Sequence, residues 1–195
     1  RAAALLRNLA AGHRTATDAA VRRSGALRVV VEAMQLFSHN VTLLEHGIAA
    51  MWALACDLAP DGDANARALL DAQAVGAAAV CLQEHTDSLP LVRGSLGALG
   101  ALAGHEGMAR QVIATGCLGA VLGAMRAFRD HDGVQACAHE CLWSLAGDPK
   151  VRRQLEEMDA AAMVASLNPE LASDAAARRR AREKEQRAAT AAVGG

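Results

Sequence analysis

The sequence predicts an all-α protein, a helical solenoid whose units stack along a line, and three observations predict it. A turn position recurs at Gly25, Gln73, Gly116 and Asp159, in steps of 48, 43 and 43 residues. The same apolar pattern follows each turn. Leu27, Val75, Leu118 and Ala161 come two residues on, Val30/Val31, Ala78/Ala79, Val121/Leu122 and Val164/Ala165 at five and six, and Met34, Leu82, Met125 and Asn168 at nine. A second ladder lies between these, at Leu9-Ala10, Leu54-Ala55, Leu102-Ala103 and Leu145-Ala146. Self-similarity at this period marks helical units that bury their apolar faces by stacking on one another. Composition agrees: the chain is 52% hydrophobic but 2% aromatic, lacks tyrosine, and holds 47 alanines among 195 residues. Alanine is the strongest helix former and allows helices to approach closely.

Each unit reads as a short helix, a turn, a second helix, a loop and a longer third helix. In the first full unit Thr17-Asp18 start a short helix through Arg23, and Gly25 ends it in the left-handed conformation that glycine adopts without steric penalty. Ala26 to Phe37 forms the second helix, Ser38-His39-Asn40 the loop, and Val41 to Cys56 the third helix. The second unit follows the polar cluster Ala59-Pro60-Asp61-Gly62-Asp63, with Asp63 or Asn65 as the expected helix cap. Gln73 stands where the turn glycine belongs, so an adjusted turn geometry is expected there. The second helix runs from Val75 to about Glu84, and Thr86-Asp87-Ser88 with Pro90 introduces the third, which ends near Gly104.

In the third unit Met108, Val112 and Ile113 mark the first helix and Gly116 the turn. Leu118, Val121, Leu122, Met125 and Phe128 mark the second helix, and Val134 to Ala146 the third. The fourth unit stops at Asn168-Pro169, because proline disfavours helical geometry in the residue before it. The array is thus expected over 1–167, as a partial repeat 1–16, repeats 17–58, 59–104 and 105–147, and a truncated repeat 148–167. A charged helix or flexible tail follows over 168–195. The chain opens mid-repeat at Arg1 without Met, so it is read as the C-terminal piece of a longer protein.

Charge and patterning narrow the function classes. The net charge of −1 offers no basis for binding nucleic acid or an anionic membrane. The tail has six basic and four acidic side chains over 169–195, an interleaving typical of a solvated helix face. No apolar run reaches the ~18 residues needed to span a bilayer, so no membrane insertion is expected. Five cysteines without paired spacing fit a reducing, cytoplasmic compartment.

Leu5-Leu6-Arg7-Asn8-Leu9-Ala10, Ala50-Met51-Trp52-Ala53-Leu54-Ala55, Ala98-Leu99-Gly100-Ala101-Leu102-Ala103 and Cys141-Leu142-Trp143-Ser144-Leu145-Ala146 recur at the ends of the third helices. With three helices per unit and a turn glycine, this signature resembles the armadillo repeat over residues 1–167. The resemblance implies a right-handed superhelix whose third helices line a groove for protein partners. In members that capture extended peptides, an asparagine ladder on that helix holds the peptide backbone. The matching slots here are Asn8, Ala53, Ala101 and Ser144, and the two alanines offer no side-chain hydrogen bond. These slots argue against capture of an extended peptide by this stretch and leave binding of helices or folded partners through the groove open.

The expected function is a non-enzymatic scaffold for protein–protein interaction, with groove contacts from Asn8, Glu45, His46, Trp52, Arg93, Glu140, Trp143 and Ser144. Trp52 and Trp143 suit either an interface anchor or the filling of gaps between stacked helices. The alternatives are an architectural subunit of a large cytoskeletal or ciliary (axonemal) assembly, and an accessory domain of an enzyme such as a ubiquitin ligase whose catalytic part lies upstream. No cofactor, metal or catalytic residue is expected. Cys137 and Cys141 share a helical face, but His139 points about 200° away from Cys137 and no second Cys-x-x-Cys pair completes a zinc site. His139-Glu140 begins a His-Glu-x-x-His pattern whose fifth position is Trp143, which cannot hold a metal.

Overall fold

The computed structural model describes residues 23–56 and 62–157. The partial repeat 1–16, the turn at Asp159, the second helix of the truncated repeat and the charged tail lie outside the described residues. Within them the chain forms nine helices and no strand. They are α1 (Ala26–Leu36), α2 (Val41–Ala55), α3 (Gly62–Asp71), α4 (Ala74–Glu84), α5 (Leu89–Ala103), α6 (Ala109–Ala114), α7 (Cys117–Ala127), α8 (Asp132–Leu145) and α9 (Pro149–Glu157). None of them is long and apolar enough to cross a membrane.

The units repeat in backbone detail. Gly25, Gln73 and Gly116 all sit left-handed immediately before a second helix, at φ/ψ of 69/10°, 60/28° and 76/13°. The adjusted geometry expected at Gln73 is not found: the turn is kept and an L-residue bears its strain. Phe37, His85 and Phe128 close α1, α4 and α7 at φ/ψ of −117/47°, −117/50° and −113/42°. Three residues later Asn40, Ser88 and His131 cap α2, α5 and α8, each accepting a backbone N–H with its side chain. The third helix α8 therefore starts at Asp132, two residues before the expected Val134, because the His131 ring supplies the cap that Ser and Asn supply elsewhere.

Gln73 is exposed, so its side chain contributes little packing against that strain. Left-handed geometry costs an L-residue roughly 1–2 kcal/mol, part of which glycine's extra chain entropy cancels. Gln73→Gly is expected to raise stability by about 1 kcal/mol, read as a higher denaturant midpoint. A lower midpoint would show that the glutamine side chain does more than tolerate the turn.

Helices at corresponding positions pack on one another. The third helices α2, α5 and α8 form one layer with α5 in the middle, and the second helices α1, α4 and α7 form another. The first helices α3, α6 and α9 fit at the junctions, α3 against α2 and α4, α6 against α5 and α8, and α9 against α6. Every extensive helix pairing joins elements of the same unit or of adjacent units. The sequence ladder is the core: Leu27, Val30, Val31 and Met34, then Val75, Ala78, Ala79 and Leu82, then Leu118, Val121, Leu122 and Met125 are all buried.

The central third helix lies very close to both neighbours. A Cβ added at Gly94 would lie 2.7 Å from Ile48 Cγ2, one at Gly97 would strike the Trp52 ring, and one at Gly100 would lie 2.9 Å from the Cys141 Cα. These contacts fall in turn on a side chain of α2, a ring of α2 and the backbone of α8.

Two buried polar side chains tie elements together where ladder bonds end. His105, following α5, is buried, with Nδ1 2.9 Å from Asp63 Oδ1 and Nε2 3.0 Å from the Ala55 carbonyl oxygen. Asp63 thus serves the end of α2 and the start of α6 through His105; the capping role expected of it is not the one its carboxylate plays. Gln135 on α8 is fully buried, and its Nε2 donates to the carbonyls of Met125 and Phe128, both at 2.9 Å, closing the end of α7.

Candidate functional site: the third-helix wall

The candidate site is the layer made by α2, α5 and α8. The two unit steps that align the turns also align rows across this wall. One row is Glu45, Arg93 and Ala136, the next Ala49, Gly97 and Glu140, the next Trp52, Gly100 and Trp143, and the last Ala53, Ala101 and Ser144. Ala53, Ala101 and Ser144 are all half-buried, so small side chains make up that row. Of the residues expected in the groove, seven lie on these three helices; Asn8 lies outside the described residues.

Glu45 and Arg93 play matching roles in successive units. Glu45 is half-buried, and its Oε1 accepts a long hydrogen bond of 3.4 Å from Ser88 Oγ, the cap of α5. Arg93, exposed, runs along the start of α8: a Cβ added at Gly133 would lie 3.3 Å from Arg93 Nε and 3.2 Å from the cap residue His131. Each side chain thus reaches from one third helix to the capped end of the next. Ser88 and His131 were not among the expected site residues, although the period that aligns the turns also aligns them with Asn40. From the end of α4 to the loop between α1 and α2, His85 Nε2 donates to the Ser38 carbonyl at 2.8 Å, a second strut across adjacent units.

Trp52 lies half-buried with its ring over Gly97 of the following unit, filling a gap between third helices. Trp143, one row-equivalent along the wall, is half-buried, as are His46 and Ser144, while Glu140 is exposed. The partly exposed wall thus mixes small residues (Ala49, Ala53, Gly97, Ala101, Ala136 and Ser144) with His46, Trp52 and Trp143, and Glu45, Arg93, Asp132 and Glu140 are its charged groups.

Three of the five thiols and one histidine are held back by burial. Burial above all, with Glu84 adding to it, pushes the Cys81 thiol up to about 11. Burial also raises Cys117, against the lowering effect of a hydrogen bond with Thr115. Cys141, fully buried, is raised further still, first by burial and then by neighbouring Cys117 and Cys137. A thiol held protonated is a poor nucleophile and metal ligand. His139 occupies the slot of Ile48 and Leu96 in the other units; burial lowers its pKa against the pull of Glu140, and neither ring nitrogen has a hydrogen-bond partner. Among the described residues no group of three or more His, Cys, Asp or Glu side chains is placed to hold a metal ion. No protein-family model matches the chain, and a search of curated proteins finds no match.

Proposed function

We propose that the chain is an armadillo-type α-solenoid, right-handed and built of three-helix units, that works as a non-enzymatic scaffold and presents its third-helix wall to protein partners. The observation that carries this reading is the register of α2, α5 and α8. Three capped helices stand side by side with equivalent rows facing the same way, and small side chains leave the wall open to a partner's own side chains. The scarcity of amides in the Ala53/Ala101/Ser144 row favours a partner that brings a folded or helical surface over one that needs its extended backbone held. Stacked units offer an extended surface of the size that specific interfaces require, on the order of 800 Å² per partner. The setting proposed is intracellular, with a place in a larger protein assembly.

The test is affinity capture from a cell extract with paired variants of the full chain. A wall variant, Arg93→Glu with Glu140→Lys, is compared with a variant of the opposite surface, Val80→Asp with Gln83→Glu. Proteins retained by the second variant and lost from the first support the wall as the working surface. Proteins retained by both, or lost only from the second, overturn it.

A further inference from the structure

The third helices start at equivalent places, and one of those starts depends on a group that titrates near neutral pH. Asn40 Oδ1 accepts the Leu43 N–H at 3.0 Å and Ser88 Oγ the Leu91 N–H at 3.4 Å, and neither acceptor takes up a proton in that range. At α8 the acceptor is His131 Nδ1, 3.3 Å from the Val134 nitrogen, whose N–H is shared with the His131 carbonyl at 3.0 Å. Nδ1 accepts only as the neutral imidazole with its proton on Nε2, since both ring nitrogens of an imidazolium are donors. Proton uptake therefore removes the acceptor and points one N–H at another. It also adds positive charge at a helix N-terminus, where the peptide dipoles already present their positive end.

The helices around α8 offer nothing to hold that charge. α5, α6 and α7 all pack against α8, and the single charged side chain of each is an arginine: Arg93, Arg110 and Arg126. Arg110 is engaged by Asp148, beyond the far end of α8. Arg93 is close: its Nε and Cζ lie 3.3 and 3.5 Å from the point a Gly133 Cβ would take, and His131 Cε1 lies 3.2 Å from the same point. The Phe128 ring meets the imidazole edge-on, with centroids 6.4 Å apart. Cys117 starts α7, at the opposite end from Phe128, and Cys137, His139, Glu140 and Cys141 lie more than one turn further along α8. Only Asp130 and Asp132, exposed neighbours in the chain, favour the cation, and exposed Arg129 stands beside them. We propose that the start of α8 is an acid-sensitive latch: the neutral His131 ring closes it, and proton uptake by that ring releases the first turn while α2 and α5 keep theirs. Arg93 lies along the same turn, so its place between α5 and α8 goes with it. The unfolded chain takes up the proton without giving up a cap, so the latch stabilises at high pH and its contribution is lost as pH falls.

The test follows the unfolding equilibrium of the 195-residue chain by denaturant titration from about pH 8 to about pH 5.5, the range that brackets histidine. His131→Asn carries the capping residue of α2, and His131→Ser that of α5. Over this range the folding equilibrium constant of wild type is expected to fall roughly fivefold more than that of either variant, the size of one N-cap. The other histidines are common to all three proteins and cancel in the comparison. On wild type alone, nitrogen NMR of the ring at the higher pH should place the proton on Nε2. The Val134 amide should lose protection against hydrogen exchange, relative to its intrinsic rate at each pH, as the His131 ring titrates. Equal pH profiles in wild type and both variants overturn the proposal. So does a proton on Nδ1 at the higher pH, or Val134 protection that stays constant while the ring titrates.

Discussion

Gly100→Val is expected to lower stability by about 2–4 kcal/mol, by overpacking a contact between α5 and the backbone of α8. The added Cβ would meet the Cys141 Cα at 2.9 Å and its backbone N at 3.2 Å, so no side-chain rotation relieves it. α5 and α8 would have to part, and their separation would loosen Leu96, Leu99 and Leu102, each fully buried along the central helix. The better helix propensity of valine over glycine offsets only a few tenths of a kcal/mol to about half a kcal/mol. Gly123→Ala is the control, because a Cβ there meets nothing within 4 Å and should raise stability by up to about 1 kcal/mol. Denaturant unfolding of the two variants, one falling and the other rising, checks the claim. A Gly100→Val protein as stable as wild type would show that the third-helix layer opens at little cost.

His105→Ala is the second large effect, an expected loss of about 2–4 kcal/mol from two hydrogen bonds and the space of a buried ring. The Ala55 carbonyl would lose its donor at the end of α2, and burial makes that loss costly. Most of the effect should come from this carbonyl and the vacated space, since Asp63 is 65% exposed and regains water readily. Asp63→Asn is accordingly expected to cost clearly less, within about 1 kcal/mol, and the double variant little more than His105→Ala alone. Unfolding midpoints of the three variants provide the comparison. An Asp63→Asn loss as large as that of His105→Ala would place the weight of the clasp on the ion pair instead.

Much of this architecture was legible in the sequence because it rests on local pattern. The steps between Gly25, Gln73 and Gly116 located three left-handed turns, and the apolar positions that follow them are buried. Periodicity works here because each unit must bury the same face against the next, so the same positions stay apolar. Gln73 marks a limit: the missing glycine suggested an altered turn, yet the residue takes the same left-handed geometry as Gly25 and Gly116. Asp63 marks another, since a helix-start aspartate reads as a cap until a histidine 42 residues away takes its carboxylate.

On the candidate site the sequence by itself determined which residues share a row, and the tertiary structure decided what each one does there. Glu45 and Arg93 read alike as polar groove contacts, but their reach to the caps Ser88 and His131 depends on how far apart the third helices stand. Gly94, Gly97 and Gly100 let α5 approach both neighbours, and their spacing of three along the helix does not say which neighbour meets each one. Trp52 settled over Gly97 for the same reason. The intrinsic preferences of a stretch fix where helices begin, end and turn their apolar faces. Which side chains then meet across two helices depends on the gap between them, and only packing determines that gap.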